Sequence, residues 1–272
     1  MKTFIGFRLP SSFGKCCYFS FTIILSSFSS SYAFYHAAPD NKAISVKTSA
    51  SSLAANRLAR ARAIARKAEL KMISLEAFDM FREMQLEDSG LNEKALEYAL
   101  IGYHHLLKKG VLHRTDVLSI CDFSQSSSLK RMYVIDVQNR KVLYRTYVAH
   151  GINSGSEYAN SFSNVAESHK SSLGFYVTRG TYYGGNGLSL RIDGLDRGFN
   201  SRANQRNIVI HGAPYVSERI LHKYGVMGTT FGCPAIPAEL TNEIIPAIKD
   251  GTCFFIYYPS KRYLGRSSVL NG

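Results

Sequence analysis

Two short stretches of this chain carry residues that could act together as a nucleophile and a base. GTTFGCPAIP, residues 228–237, places Cys233 in a turn, and RNIVIHGAPYV, residues 206–216, places His211 at the end of an apolar run. A cysteine attacks as its thiolate, and a free thiol, with a pKa near ~8.5, needs a base or a cation beside it. The two stretches predict nucleophilic catalysis if they meet, and a buried thiol and a strand-end histidine if they do not.

The surroundings of both residues contain groups that such chemistry needs. The carbonyl of Gly212 can accept an imidazole N–H from His211 and so orient the ring. Cys233 follows 22 residues later, after a glycine-rich loop that can return the chain to the strand. The amides of Gly232 and Cys233 are candidate donors for an oxyanion hole, since Pro234 has no N–H. We expect Cys233 Sγ to lie within about 4 Å of a His211 ring nitrogen.

Patterns for other chemistries are absent. His150 and His169 are isolated, and neither HExxH nor CxxC spacing occurs, so we predict no metal and no cofactor. The GxSxG turn of serine hydrolases does not occur either. The formal charge of +13 favours an anionic polymer or surface as a partner. Nucleic acid is not expected, because no RNA-binding, helix-turn-helix or zinc-finger pattern is found.

The N-terminus has the form of an export signal. Three basic residues and no acidic ones precede residue 34, and the apolar run 16–28 is followed by Ser31 and Ala33 in a small-x-small cleavage pattern. The run is shorter than the ~20 residues that a membrane span needs. We therefore predict a signal peptide, export, and no stable membrane span in the mature chain. Cleavage after Ala33 leaves a net charge of +13 − 3 = +10.

Export changes how the cysteines are interpreted. Cys121, Cys233 and Cys253 remain in the mature chain, so at least one thiol is unpaired. An unpaired thiol in an oxidising compartment is a liability unless it has a function. Cys121 and Cys253 lie in apolar runs, which predicts small buried hydrophobic side chains. Cys233 is the exception, because glycine and proline flank it.

Composition divides the rest of the chain. Alanine, arginine, leucine, lysine and glutamate dominate residues 51–84, and residues 88–110 form a second helical pattern that ends at a glycine. From Val117 onward, short runs of valine, isoleucine, tyrosine and phenylalanine alternate with turn residues. We predict a mainly β body with N-terminal α-helices and a loosely held tail. The predicted order is signal peptide 1–33, linker 34–50, helical region 51–115, β body 116–259 and basic tail 260–272.

Several of these stretches together resemble a known family. IVIHGAPYVS, TTFGCPAIP, MYVIDVQNRKVLYRTYVAHGINSG and DGTCFFIYYP are similar to the murein L,D-transpeptidase catalytic domain, a divergent branch of the L,D-transpeptidase (YkuD-like) family. The resemblance covers roughly residues 90–259. The usual signature is a histidine followed, after a loop, by Ser/Thr-His-Gly-Cys. This chain keeps His211, Thr230, Gly232 and Cys233, but Phe231 replaces the second histidine and Pro-Ala follows the cysteine. The divergent branch carries the same replacements.

The resemblance implies a mixed β-sandwich fold and a cysteine acyltransferase that acts on peptidoglycan stem peptides. Cys233 would attack the third residue of a tetrapeptide stem, release D-alanine, and pass the acyl group to an amine of another stem. His211 would be the base, oriented by Gly212. The family uses no metal and is acylated by carbapenems. The implied location is the periplasm or cell envelope of a bacterium.

Candidate substrate-binding residues come from position and charge. Arg191 could pair with a stem carboxylate or, alternatively, with Asp193. Tyr182 and Tyr183, among glycines, could form a mobile lid or a plain surface turn. Thr230 precedes the cysteine in the signature. Two other functions stay open: an L,D-carboxypeptidase that uses the same site with water as acceptor, and a catalytically silent wall-binding module. The sequence does not identify protein partners, which stay unknown.

Overall fold

The structure, a computed structural model, describes the backbone of residues 41–272 and the side chains from residue 51 onward. The expected signal peptide therefore lies outside the described residues. Residues 56–272 form one compact unit. Among the helices described, none combines the length and the apolar character that crossing a membrane requires.

From residue 41 onward, two helices precede the sheet. α1 spans Asn41–Glu83 and α2 spans Glu93–Lys108. Because residues 41–50 are helical, the linker expected over 34–50 is wrong for that part of the chain. The alanine- and leucine-rich sequence that follows is a strong helix former, and extending an existing helix requires no new nucleation.

α2 supplies one wall of the core. Its N-cap Asn92 accepts a hydrogen bond from the Lys94 amide at 2.9 Å. Gly102 lets the ring of Phe175 lie directly against the helix, since a Cβ at this position would overlap that ring. The buried residues recur at helical spacing and include Ala95, Leu96, Ala99, Tyr103 and Leu106. The second helix expected from the sequence is thus confirmed, but it begins later and ends earlier than the pattern over residues 88–110.

Eight strands form one mixed sheet with the order β3-β2-β1-β8-β4-β5-β6-β7. The β1–β8 and β6–β7 pairs are parallel and the other neighbours are antiparallel. The expectation of a mainly β body with N-terminal helices is confirmed. The strands are β1 Val117–Asp122, β2 Met132–Asp136, β3 Lys141–Thr146, β4 Gly174–Gly184, β5 Gly187–Gly194, β6 Val209–Ala213, β7 Ala235–Pro237 and β8 Cys253–Tyr257.

Short helices connect the later strands. α4 continues through Pro246, so this residue does not divide it. β7, which has only three residues, was missed from sequence, because so short a run shows no measurable alternation. The remaining helices are α3 Glu218–Tyr224, α4 Thr241–Ile248, α5 Lys261–Leu264 and α6 Ser268–Asn271, with 3₁₀ turns at Ile152–Ser154 and Ala238–Leu240.

The C-terminal residues 260–272 are packed rather than loosely held, which corrects the sequence expectation. Tyr263 is fully buried, and the buried carboxylate of Asp196 accepts hydrogen bonds from its hydroxyl (2.9 Å), from Ser267 Oγ (2.6 Å) and from the Val269 amide (3.2 Å). A buried carboxylate is stable when several donors surround it. The tail supplies these donors and therefore belongs to the fold.

Tyr263→Phe is expected to lower the free energy of unfolding by ~1.5–3 kcal/mol, because Asp196 loses a charge-assisted hydrogen bond while the ring stays in place. Urea unfolding followed by circular dichroism measures this loss. Tyr224→Phe, at an exposed tyrosine, is the matched control and is expected to stay within ~0.5 kcal/mol of the wild type. A Tyr263→Phe variant as stable as the control would contradict a structural role for the tail.

Candidate active site

His211 lies in the middle of β6, between β5 and β7. Its Cα partners are Ser189 on β5 and Ala235 on β7. The strand was expected to end at His211, but it continues to Ala213, because β7 pairs with these residues as a parallel edge strand. The histidine is therefore held on both sides by backbone ladders.

The orientation of the imidazole is set by the next residue. His211 Nδ1 lies 3.0 Å from the carbonyl oxygen of Gly212, as expected from the sequence. A carbonyl oxygen only accepts, so Nδ1 carries the proton and Nε2 keeps its lone pair. His211 can thus accept a proton at Nε2.

Gly212 also brings the strand close to the start of α4. A Cβ at Gly212 would overlap Thr241 Oγ1 and lie 3.1 Å from the Cα of Ala238. Successive side chains of a strand point to opposite faces, so His211 projects from the face of β6 away from α4. Gly212 therefore lets the start of α4 pack tightly against one face of β6, and His211 projects from the other face.

Cys233 sits in a turn that its own neighbours hold. Thr230 Oγ1 donates to the Cys233 carbonyl at 2.8 Å and accepts from the Gly232 amide at 2.9 Å. Gly232 has φ +121°, in a region that side chains with a Cβ rarely adopt. Thr230, which was expected to bind substrate, therefore uses its hydroxyl to close this turn.

The segment around His150 fixes both ends of that turn. The Thr230 amide donates to the His150 carbonyl at 2.9 Å, and the Ala149 amide donates to the Ala235 carbonyl at 2.8 Å. The Ile152 amide donates to the Thr230 carbonyl at 2.8 Å. Because Ala235 also pairs with His211, these bonds place the cysteine turn beside the histidine strand.

His150 is itself locked in a buried hydrogen-bond network. Arg131 Nη2 lies 2.7 Å from His150 Nδ1, and His150 Nε2 lies 3.1 Å from the Gly155 carbonyl. Arginine only donates, so Nδ1 accepts, Nε2 donates, and the ring is neutral. Burial, and then the charge of Arg131, lower the pKa of His150 to about 4. The isolated histidine of the sequence is thus part of the scaffold.

This lowered pKa predicts a pH-dependent stability. In the unfolded chain a histidine has a pKa near ~6.5, so between pH 6.5 and 4 the unfolded state binds the proton first. The stabilisation is full above pH 6.5 and is lost as the pH falls toward 4. We expect the free energy of unfolding to be lower at pH 5 than at pH 7.5 by ~2 kcal/mol from this group.

Urea unfolding at both pH values, with His150→Gln beside the wild type, measures this contribution. The glutamine carbonyl can still accept from Arg131 but does not titrate in this range. The variant should therefore lose most of the pH-dependent difference. An equal difference in both proteins would mean that His150 is not the titrating group.

The thiol of Cys233 is protonated and hydrogen-bonded in the structure. Sγ lies 3.6 Å from the Asn207 carbonyl oxygen. Burial raises the pKa of the Cys233 thiol, and the Val209 amide and the Arg206 guanidinium partly offset the rise. Among the described residues no hydrogen bond joins the Cys233 thiol to His211, and the expected separation of about 4 Å between Sγ and a ring nitrogen stays a prediction.

The two amides expected to form an oxyanion hole differ in whether they already have a hydrogen-bond acceptor. That of Gly232 is taken by Thr230 Oγ1. In the described part of the chain the Cys233 amide has no such acceptor, so of these two amides it is the one free to donate.

The family follows from a comparison with known proteins. Residues 87–257, more than half of the chain, match the model of the L,D-transpeptidase catalytic domain. The chain belongs to this family. No curated protein matches it significantly.

Solved structures resemble this domain only loosely. The Mycobacterium smegmatis L,D-transpeptidase has a TM-score of 0.33 and 11% identity, covering 53% of this chain and 59% of that one. The LD transpeptidase LdtMt1 in complex with imipenem has a TM-score of 0.32 and 12% identity, covering 52% of this chain and 59% of that one. The Campylobacter jejuni helical cell shape determining protein Pgp2 has a TM-score of 0.37 and 15% identity, covering 59% of this chain and 57% of that one. The chain thus spans under two thirds of the length of these three proteins.

In this L,D-transpeptidase domain, Arg191 and Tyr182 lie near His211. Tyr182 on β4 pairs with Ser189 on β5, and Ser189 pairs with His211 on β6. Residues that pair across neighbouring strands point to the same face of a sheet, so Tyr182 and His211 lie on one face. Arg191 Cζ lies 4.3 Å from the centroid of the Tyr182 ring. Both residues line a cleft of about 200 Å³ that also includes Asn207.

Arg191 does not pair with Asp193, the alternative raised by the sequence. Asp193 Oδ2 accepts from Arg179 Nε at 2.7 Å instead. Arg179 lies in the irregular part of β4, between Thr178 and Thr181, where the register with β5 shifts. Arg191 is therefore stacked on an aromatic ring and has no carboxylate partner among the described residues.

Tyr183 lies at the tip of the β4–β5 hairpin, where it is 81% exposed. Its Cα partner is Leu188, and Gly184 pairs with Gly187 across a two-residue turn. The segment is a regular hairpin, with glycine suited to the positive φ of Gly187, and a role as a lid stays a prediction.

Several residues around the thiol were not predicted from the sequence. Asn207 accepts its hydrogen, and Arg206 carries a positive charge nearby. Burial, and then the proximity of Cys233, raise the pKa of Tyr215. No local motif marks these residues, because they reach Cys233 through the fold.

The remaining candidates lie elsewhere. Cys121 and Cys253 are buried and free, and burial raises the pKa of both thiols. Phe231 is 73% exposed, with its ring centroid 4.5 Å from that of His169. From residue 51 onward, no group of three or more His, Cys, Asp or Glu side chains could hold a metal ion.

Proposed function

We propose that this chain is a peptidoglycan L,D-transpeptidase in which Cys233 is the nucleophile and His211 the base. The observation that carries the proposal is the hydrogen bond from His211 Nδ1 to the Gly212 carbonyl. It leaves Nε2 free to accept a proton, on a strand paired with the residues that follow Cys233. The membership of residues 87–257 in the family supports the reaction class.

Acylation begins with the thiol of Cys233. The pKa of this thiol is raised by burial, so it needs a base to ionise at neutral pH. Sγ turns from the Asn207 carbonyl toward His211 Nε2, which takes the proton. The thiolate forms a bond to the carbonyl carbon of the third stem residue, and the Cys233 amide stabilises the oxyanion.

The second half of the reaction returns the enzyme to its starting state. His211 gives its proton to the leaving nitrogen as the C–N bond breaks, which releases D-alanine. An amine of another stem then loses a proton to His211 and attacks the thioester carbonyl. The C–S bond breaks, the thiol is restored, and a peptide bond joins the two stems.

Substrate carboxylates are expected at Arg191. Its guanidinium is held over the Tyr182 ring and lies in the cleft beside Asn207. A planar guanidinium without a carboxylate partner suits recognition of an anionic stem peptide. Export to the cell envelope, where peptidoglycan lies, belongs to the same proposal. The imipenem complex of LdtMt1 suggests that a carbapenem will acylate Cys233.

The test is mass spectrometry of the purified protein incubated with a disaccharide-tetrapeptide. A cross-linked dimer that lacks one alanine supports the transpeptidase. A shortened stem without cross-link would indicate an L,D-carboxypeptidase with water as acceptor. No product, together with a Cys233 that a carbapenem does not acylate, would overturn catalysis and favour a wall-binding module.

A further inference from the structure

The segment Arg206–Val209 surrounds Cys233 with groups that respond differently to its two protonation states. We propose that Arg206 is a positioning residue that holds the cysteine turn in place and stabilises the thiolate of Cys233 by its charge. The meaning of this role for catalysis rests on the proposed function, but the role itself can be tested without substrate.

Arg206 lies directly against the residue that precedes the nucleophile. A Cβ on Gly232 would lie 2.8 Å from the Lys170 carbonyl oxygen and 3.2 Å from Arg206 Nη2. Arg206 Nη2 donates to that same carbonyl at 2.7 Å. Gly232 therefore packs on the Arg206–Lys170 pair, and its lack of a side chain permits the close approach.

The guanidinium is held by neutral acceptors only. Nη1 donates to the Ser163 carbonyl at 2.8 Å and to Ser172 Oγ, and Nη2 donates to Ser168 Oγ at 3.2 Å. No carboxylate pairs with Arg206 in the described part of the chain, and its Nε is buried without a partner. A partly buried cation without a counter-ion is unfavourable, unless an anion forms beside it.

Cys233 can supply that anion. Burial lowers the pKa of Arg206, and the proximity of Tyr176 and Cys233, when these groups are ionised, opposes this effect. Arg206 in turn lowers the pKa of Cys233. The other titratable groups near the thiol are Tyr215, which is neutral at physiological pH, and His211 on the adjoining strand.

Ionisation exchanges the partners of the sulfur atom. The neutral thiol donates to the Asn207 carbonyl, whereas a thiolate has no hydrogen to donate and is repelled by that oxygen. The Val209 amide and the Arg206 guanidinium then favour the charged form. Residues of a single segment thus hold the resting thiol and stabilise the reactive thiolate.

The experiment measures the rate at which iodoacetamide alkylates Cys233 as a function of pH, followed on the Cys233-containing peptide by mass spectrometry. Arg206→Gln is expected to move the midpoint of this profile upward by about one pH unit or more. Arg206→Lys keeps the charge and should restore part of the shift. Arg202→Gln removes an exposed arginine from the same region and should leave the midpoint unchanged.

Arg206→Gln with the wild-type midpoint, in a folded chain with native circular dichroism, would overturn the proposal. Ser172→Ala provides an independent variant if Arg206→Gln does not fold. It removes one acceptor of the guanidinium and leaves the charge, so an upward shift smaller than one unit is expected, and no shift would count against the proposal. If the wild-type protein forms no cross-link but Arg206→Gln still moves the alkylation midpoint upward, the proposed function alone fails.

Discussion

Cys233→Ala is expected to abolish cross-link formation, with a loss of at least about 10³-fold in rate, because it removes the thiol that is proposed to form the acyl-enzyme. The wild-type protein should gain the mass of one imipenem on incubation with that carbapenem, and the variant none. Both results are obtained by intact-mass spectrometry, beside the analysis of the stem-peptide products.

Cys253→Ala is the matched control for this variant. Cys253 is fully buried on β8, and burial raises the pKa of its thiol, so it is expected to be inert. The control should keep its activity and its single acylation. Acylation of Cys233→Ala at a different residue, or cross-linking that survives the substitution, would mean that the nucleophile lies elsewhere.

His211→Asn is expected to reduce both cross-linking and carbapenem acylation by about 10²–10⁴-fold at neutral pH. Asparagine is of similar size, and its amide can still donate to the Gly212 carbonyl, so the strand should be preserved. Without the base, the thiolate forms only at high pH, since burial raises the pKa of Cys233. The remaining rate of acylation should therefore rise as the pH increases above the usual pKa of a free thiol, ~8.5.

The pH profile of acylation separates the loss of a base from a damaged fold, because a misfolded variant would not recover at high pH. His222→Asn, on the exposed surface of α3, is the matched control and should behave as the wild type. A His211→Asn variant with full activity at neutral pH would exclude His211 as the base. The base would then be sought among the other groups around Cys233, beginning with Arg206 and Tyr215.

The position of Phe231 bears on the rival interpretation as a silent module. Where the usual signature has a second histidine, this chain exposes an aromatic ring that contacts His169. Phe231 cannot take a proton, which agrees with the proposal that His211 is the base. The turn is nevertheless closed by Thr230 and supported by the His150 segment, an arrangement that does not involve the Phe231 side chain.

Local sequence determined most of the secondary structure. α2 and the longer strands follow from side-chain periodicity and turn residues, which act over a few neighbours in the chain. The choice of Cys233 and His211, and of the Gly212 carbonyl as the partner of the imidazole, also came from local features. These were a thiol among glycine and proline, and a histidine followed by glycine in an apolar strand.

Tertiary structure alone decided which groups surround the thiol. The short strand β7 forms because β6 offers an open edge, and this pairing extends the histidine strand and brings the cysteine turn beside it. The Arg131–His150 network, the Asn207 carbonyl and the Arg206 guanidinium are distant from Cys233 in sequence. Their effects depend on burial and on distances across the fold, and neither quantity is a property of a local run of residues.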